Sequence, residues 1–143
     1  MTNQTSQGIG EAASPTCYVL LSSSEFKERL VQLQRGGPVS DWLMDPLMTT
    51  SAGLRGEGYP AFQLDKRLNQ ALLLKLRELY RLHQTADVFV WDFLRTRHKP
   101  LGGLTGVDFL LGFFTPAVAA MGLGEREEHF LDLALEEIGR LQQ

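Results

Sequence analysis

Residues 65–82, which read DKRLNQALLLKLRELYRL, decide the fold class of this chain. Four leucines recur at the i, i+4, i+8 and i+11 spacing of one helical face: Leu68, Leu72, Leu76 and Leu79. The charged residues mostly take the other faces: Lys66, Arg67, Lys75, Arg77, Glu78 and Arg81. An apolar stripe opposed by charge is typical of a helix that packs one side against a core. The stretch therefore predicts an amphipathic helix.

Helical signals continue from this stretch towards the C-terminus. Thr85 is positioned to cap a helix that contains Trp91 and closes at residues 98–100. Thr105 and Asp108 fit a capping box, in which two residues three positions apart bond each other's backbone N–H. These signals predict two more helices, one on each side of a glycine-rich turn.

The last third of the chain predicts two further helical segments. Thr115 before Pro116 is the N-cap and first-turn proline pattern, and Gly122 with Gly124 then interrupts that helix. Residues 125–143 carry apolar side chains on one side and acids on the other. Together these patterns predict a mainly α fold, a compact bundle of five or six helices.

The N-terminal third is less regular. Residues 1–16 are rich in Ser, Thr, Gly and Gln without apolar periodicity, which predicts a disordered leader. Ser22 and Glu25 fit a capping box for a helix that the Gly-Gly-Pro sequence at residues 36–38 would end. A short helical turn is predicted at residues 40–44.

A short β-hairpin is predicted near residues 54–64, turning at residues 56–58, with Pro60 confining its second strand to an edge. We accordingly divide the chain into a leader (1–16), a reduced N-terminal helical region (17–53) and a helical domain with an extended C-terminal helix (54–143).

Composition limits the classes of function. The 143 residues suit one domain, and 43% hydrophobic with 22% charged residues is ordinary globular composition. Fourteen Lys and Arg against seventeen Asp and Glu give a net charge of −3, which offers no global attraction to nucleic acid or anionic lipid. The single cysteine, Cys17, excludes a disulfide framework. No apolar stretch approaches the roughly 20 residues of a membrane span, so we predict a cytoplasmic protein.

Catalytic and metal-binding patterns are missing from the sequence. His83, His98 and His129 are far apart and form no H-E-x-x-H pair, and we expect each to be solvated or to cap a helix. The glycine-rich residues 101–106 lack the Gly-Lys-Ser/Thr ending of a phosphate-binding loop. The acids of residues 125–128 fit a solvated helix face near a helix start. We therefore predict no enzyme activity, no cofactor and no metal.

One basic cluster lies at the C-terminal end of the predicted helix that contains Trp91. It consists of Arg95, Arg97 and Lys99. Cations near a helix C-terminus offset the unpaired carbonyls there, which gives these residues a structural explanation. The alternative is a weak contact with nucleic acid.

Two sequence blocks carry a family resemblance. The first is YPAFQLD at residues 59–65, which leads directly into the leucine-striped helix. The second is WDFL at residues 91–94, followed by PLGGLTGVDFLL at residues 100–111. In this order and spacing the blocks resemble the toxin-binding C-terminal domain of the Xre/MbcA/ParS-type antitoxins, over roughly residues 54–115. The matched motif positions are Tyr59, Pro60, Phe62, Gln63, Trp91, Leu101, Gly102, Gly103, Thr105 and Leu110.

The resemblance implies a small, mostly helical protein that dimerises. Members of that family neutralise a cognate toxin, often a RES-domain enzyme that consumes NAD, by covering its active site. Many also repress their own operon through an N-terminal helix-turn-helix. The matched residues themselves are mostly apolar or turn-forming, so we interpret them as determinants of the fold rather than of the binding surface.

Three features depart from the family pattern. Gly106 stands where the family usually has proline. The N-terminal region has only one clear helix before Tyr59, which argues against a complete helix-turn-helix and against DNA binding. The C-terminal region adds the amphipathic helix of residues 125–143.

We therefore expect a non-enzymatic, homodimeric, antitoxin-like protein that occludes a partner enzyme. The residues expected to contact the partner are Phe113, Phe114, Glu128, Phe130, Leu131, Leu135 and Ile138. Two alternatives remain: an orphan adaptor of the same fold, and a DNA-binding autorepressor that uses residues 95–99.

Overall fold

Six α-helices make up most of the part of the chain that the structure describes. The structure is a computed structural model, and it describes residues 12–35, 46, 47, 49, 50 and 57–142. The helices are α1 (Ser23–Arg35), α2 (Gln70–Leu82), α3 (Asp87–Arg95), α4 (Gly106–Leu110), α5 (Pro116–Ala119) and α6 (Leu123–Leu141). The predicted mainly α fold is confirmed.

Five short strands lie between the helices and form two antiparallel sheets, one of three strands and one of two. In the first, the order is β1–β3–β2, with strands β1 (Leu20–Leu21), β2 (Thr49–Thr50) and β3 (Glu57–Pro60). In the second, β4 (Arg97–His98) pairs with β5 (Leu104–Thr105). The first arrangement places the N-terminal region beside the first motif block, and the second forms the turn between α3 and α4.

The antiparallel pairing predicted near residues 54–64 is present, but its turn is not at residues 56–58. Glu57 and Gly58 lie within β3, opposite Thr50 and Thr49. β3 is the central strand rather than an edge, because Pro60, its last residue, also pairs with Leu20 of β1. The proline is accommodated there because the hydrogen bond beside it comes from the Ala61 N–H, which donates to the Val19 carbonyl at 2.9 Å.

The helix starts follow the predicted caps at three of four positions. The Ser22 N–H donates to Glu25 Oε1 at 3.0 Å and the Glu25 N–H donates to Ser22 Oγ at 3.2 Å, so the capping box of α1 is confirmed. Thr115 accepts from the Val118 N–H at 3.4 Å, which confirms the cap of α5. The box of Thr105 is also confirmed, as described below.

The predicted cap of α3 is wrong. Ala86, not Thr85, holds the N-cap position, and the Thr85 hydroxyl instead donates to the carbonyl of His83 at 3.2 Å. α3 ends at Arg95, earlier than predicted, because the backbone then turns into β4 and pairs with β5. Asp87 in the first turn complements the helix dipole in place of a capping side chain.

The predicted leader extends less far than residue 16. Ser14 caps a short 3-10 helix, Pro15–Tyr18, by accepting from the Thr16 N–H. The Ala13 N–H donates to the Asp108 carboxylate, so residues 13–16 belong to the folded part of the chain. Residues 1–11 of the leader, the Gly-Gly-Pro stop at 36–38 and the helical turn at 40–44 lie outside the described residues.

The main core lies between α2, α3, α4 and α6. The ring of Phe130 on α6 stacks on Phe109 of α4 at 4.6 Å and meets Phe93 of α3 edge-on at 5.5 Å. From α2, Leu72, Leu73 and Leu76 fill the other side and are at most 1% exposed. No helix in the described part of the chain is long and apolar enough to cross a membrane.

Candidate functional site

The second motif block forms a tight turn between β4 and α4. The Gly103 N–H donates to the His98 carbonyl at 2.9 Å, which closes the loop. Gly102 and Gly103 have φ values of +76° and +84°, a region that favours glycine. A Cβ on Gly102 would in addition overlap the side chain of Thr115. The predicted positive-φ turn is therefore confirmed.

Asp108 is the centre of a buried polar network at this turn. The Asp108 N–H donates to Thr105 Oγ1 and the Thr105 N–H donates to Asp108 Oδ2, each at 3.0 Å, which confirms the capping box. The N-terminal segment completes the network. The Ala13 N–H donates to Asp108 Oδ1 at 2.6 Å, and the Tyr18 hydroxyl bonds the Thr105 hydroxyl at 2.7 Å.

Replacing Asp108 with alanine is expected to lower the free energy of unfolding by about 2 kcal/mol, because the Thr105 and Ala13 N–H groups lose their acceptor in a buried place. Urea denaturation followed by circular dichroism measures this change. Asp132→Ala makes the same replacement on an exposed face, and should change stability by less than about 0.5 kcal/mol. Equal effects of the two variants would contradict the role of Asp108.

The first motif block is fastened through a glutamine side chain. Gln63 is buried, its Oε1 accepts from the Leu47 N–H at 2.6 Å, and its Nε2 donates to the carbonyls of Leu47 at 2.8 Å and Pro60 at 3.2 Å. The amide thus satisfies both backbone groups of Leu47, as a paired strand would. Gln63 serves to fix the segment before α2.

The remaining motif residues are part of the packing. Tyr59 stacks on Phe26 of α1 at 4.8 Å, and Phe62 lies parallel to Trp91 at 5.8 Å. All but the exposed Gly102 are buried or half-buried. This agrees with the interpretation of the two blocks as fold determinants.

Gly106 has a structural reason in this chain. A Cβ at this position would lie 2.9 Å from Leu94 Cδ2 and 3.0 Å from Leu94 Cα. α4 therefore begins directly against the backbone of α3, and any residue with a side chain would push the two helices apart. The glycine at position 106 is therefore required by the contact between α3 and α4.

The residues expected to contact a partner fall into three groups. Phe130 and Ile138 are 0% and 1% exposed, so they belong to the core and not to a binding surface. Phe113, Phe114 and Leu131 are half-buried and pack against the core. Glu128 and Leu135 are exposed on α6. The correction arises because Leu133 and Ala134, which the sequence analysis did not assign to the apolar side, are buried and set the inward face of the helix.

The outward face of α6 is acidic. We call Glu128, Asp132, Leu135 and Glu136 the α6 outer face; all four are exposed. The three acids follow each other at i, i+4 and i+8, so they line up along the helix. No ion pair reaches them from the residues that the structure describes.

The other three acids of α6 have structural partners. Glu125 caps the helix by accepting from the Gly122 N–H at 3.3 Å. Glu127 bonds Lys75 of α2 at 3.0 Å, and Glu137 bonds Arg140 at 2.9 Å. The acids of the outer face are therefore the ones that the fold itself does not use.

The basic cluster near α3 is largely engaged by neighbouring groups. Arg95 pairs with Asp92 at 2.7 Å, and Arg97 donates to the Gly103 carbonyl at 3.2 Å. His98, which follows Arg97, is buried, and its Nε2 donates to the Phe93 carbonyl at 2.8 Å. Lys99 is exposed. These contacts agree with the structural interpretation of the cluster and of His98 as a helix-capping residue.

The burial of Arg77 was not predicted from the sequence. Its position outside the leucine stripe suggested an exposed face of the helix. The side chain is nevertheless only 3% exposed and forms an ion pair with Asp87 of α3 at 3.3 Å. A charged residue beside a leucine stripe carries no signal of a partner ten positions away. The pair joins α2 to α3.

Metal-ligating side chains do not cluster among the described residues. Within residues 12–35, 46, 47, 49, 50 and 57–142, no group of three or more His, Cys, Asp and Glu side chains is placed to hold a metal ion. His129 donates to the Pro100 carbonyl at 2.9 Å, and His83 follows α2 as its C-cap. The histidines thus lie at separate places, each beside a backbone group.

Cys17 is expected to react slowly with iodoacetamide in the folded protein. Burial raises the pKa of its thiol, and the nearby Asp65 carboxylate, 4.0 Å from the sulfur, raises this pKa further. A raised pKa lowers the thiolate fraction at every pH below it, and the thiolate is the reactive form. The alkylation rate at mildly alkaline pH, compared with that of the urea-unfolded chain, measures the effect. Equal rates in the two states would contradict the burial of this thiol.

Comparison with known proteins gives no relative. No protein-family model, no curated protein and no solved structure matches the chain.

Proposed function

We propose that this protein is a non-enzymatic, antitoxin-like protein that binds a partner enzyme and covers its active site. Two features support the proposal: the resemblance of the two motif blocks to the antitoxin family, and the α6 outer face. The outer face is the observation that carries it. Three exposed carboxylates in one helical row, without ion pairs from the described residues, offer a ready surface to a basic partner.

The row of acids has an energetic cost in the free protein. Like charges at i and i+4 destabilise a helix by roughly 0.2–0.5 kcal/mol per pair. Glu128 with Asp132, and Asp132 with Glu136, make two such pairs. Arg140 lies four residues after Glu136 but bonds Glu137 instead. A cationic partner surface would relieve both repulsions, so the face gains more from a partner than a mixed-charge face would.

Leu135 gives the same face an apolar contact. Its side chain is 42% exposed between Asp132 and Glu136. An apolar side chain surrounded by charge suits a small interface centre with a polar rim. The predicted contacts Glu128 and Leu135 therefore remain part of the proposal, whereas Phe130 and Ile138 do not.

Co-expression with the enzyme encoded by the neighbouring gene tests this function. We expect a complex that survives size-exclusion chromatography, and restored growth of cells in which that enzyme alone is toxic. Light scattering on the free chain tests the homodimer that the resemblance implies. A stable complex with a partner that has no enzyme activity would favour the adaptor alternative, and the absence of both complex and rescue would contradict the proposal.

A further inference from the structure

A small pocket lies between the ends of α3 and α6. It has a volume of about 170 Å³ and is lined by two carboxylates, Asp92 and Glu137, and by the rings of Phe89 and Phe93. We call it the α3–α6 pocket. Pockets for drug-sized molecules usually measure roughly 300–1,000 Å³, so this one is the size of a single side chain.

The polar groups of the pocket are acceptors. The Thr96 hydroxyl uses its proton on the Asp92 carbonyl at 2.6 Å, and His98 uses Nε2–H on the Phe93 carbonyl. The hydroxyl oxygen of Thr96 is then left as an acceptor beside the two carboxylates. A ligand for this site must therefore supply donors.

Each carboxylate keeps an oxygen for such a donor. In the part of the chain that the structure describes, the hydrogen bonds to Asp92 reach Oδ1, and the bond to Glu137 reaches Oε1. These three hydrogen bonds come from the exposed arginines Arg95 and Arg140, and exposed ion pairs of this kind contribute little stability. Oδ2 of Asp92 and Oε2 of Glu137 can receive a second cation.

The negative potential of the pocket extends into the core. Tyr80 is fully buried, and its hydroxyl has no hydrogen-bond partner among the described residues. Burial raises the pKa of this hydroxyl, and the charges of Glu137 and Asp92 raise it further. Asp92 of α3 and Glu137 of α6 thus both raise the pKa of the same buried hydroxyl.

We infer that the α3–α6 pocket binds one arginine side chain of a protein partner. A guanidinium has five donors and no acceptor, it bonds carboxylates in a planar fork, and it stacks on aromatic rings such as those of Phe89 and Phe93. We assign this arginine to a protein partner for two reasons. The pocket has room for only one side chain, and Glu137 is next in sequence to Glu136 of the α6 outer face. The inference rests on the proposed function in one respect only, the assignment of the arginine side chain to a protein partner.

Titration of the full-length protein with the capped peptide Gly-Gly-Arg-Gly-Gly tests the inference by NMR. We expect saturable shifts of the Phe89, Thr96 and Leu141 resonances, and little effect from the same peptide with citrulline, which has the shape of arginine without its charge. Comparable shifts with citrulline would overturn the inference. Free arginine that binds more than about tenfold tighter than the peptide would overturn the protein source.

Matched charge-removing variants distinguish peptide binding in the α3–α6 pocket from general attraction of the peptide to an acidic protein. Glu137→Gln and Asp92→Asn are each expected to weaken peptide binding by roughly fivefold. Glu28→Gln removes the same charge from an exposed position of α1, outside both the pocket and the α6 outer face, and should leave peptide binding unchanged. An equal loss in Glu28→Gln would overturn the pocket. Because no partner enzyme is present in this titration, its outcome is independent of the co-expression test.

Discussion

Replacing Phe130 with alanine is expected to lower the free energy of unfolding by about 3–5 kcal/mol. The side chain is 0% exposed and contacts Phe109 of α4 and Phe93 of α3 through its ring. Removing it leaves a cavity at the point where α6 joins the other helices, and also loses two aromatic pairs worth roughly 0.5–1.5 kcal/mol each beyond burial. Urea denaturation of the purified variant measures the loss.

Leu135→Ala on the same helix is the control for this prediction. Leu135 is 42% exposed, and alanine is a good helix former, so we expect a change within about 0.5 kcal/mol. The comparison separates the inward face of α6 from its outer face. If both variants lost the same stability, the placement of Phe130 in the core would be contradicted.

The double variant E128K/D132K is expected to weaken binding to the partner enzyme by roughly 100-fold. Each substitution places a positive charge where the proposed interface meets a basic surface, and like charges across an interface cost several kcal/mol. Both residues are exposed and have no ion pair from the described residues, so folding should be unaffected. Binding is measured by isothermal titration calorimetry at one fixed salt concentration.

A second double variant controls for net charge. E28K/E78K changes the charge of the protein by the same amount on exposed positions of α1 and α2. Its binding should equal that of the unmodified protein. The neutral variant E128Q/D132N should lie between the two and should be slightly more stable than the unmodified protein, because it removes both like-charge pairs of the row. Equal losses in the two charge-reversed variants would contradict a specific α6 interface.

Local signals in the sequence predicted the fold well. The capping boxes of Ser22 and Thr105, and the Thr115 cap, depend on residues three positions apart, so a single chain segment contains all the information. The leucine stripe of α2 is likewise local, and Leu72 and Leu76 are buried as predicted. Element type and several boundaries therefore follow from short-range chemistry.

Contacts between distant segments could not be predicted in this way. The amide of Gln63 replaces a missing strand partner for Leu47, and the Ala13 N–H finds Asp108 across 95 residues. Neither contact leaves a periodic pattern. The same limitation explains the misplaced turn at residues 56–58, because the strands that pair with β3 lie at residues 49–50 and 20–21, outside the predicted hairpin.

The candidate surface was predicted only in part, because the sequence pattern did not show which side of α6 faces the core. The apolar residues Phe130, Leu131, Leu135 and Ile138 were predicted to lie together on a partner-binding side of the last helix. The core instead accepts Leu133 and the small Ala134, which rotates Leu135 outward beside Asp132 and Glu136. A small residue contributes little to a hydrophobic pattern but permits close helix packing.

The most direct test of the proposed function is a titration of the partner enzyme's activity. The purified enzyme encoded by the neighbouring gene is assayed, for NAD consumption if it is of the RES type, while this protein is added in increasing amounts. We predict that activity falls in proportion to the added protein and reaches zero at a fixed stoichiometric ratio, and that E128K/D132K leaves the activity largely intact. Full enzyme activity in the presence of excess protein would contradict the account.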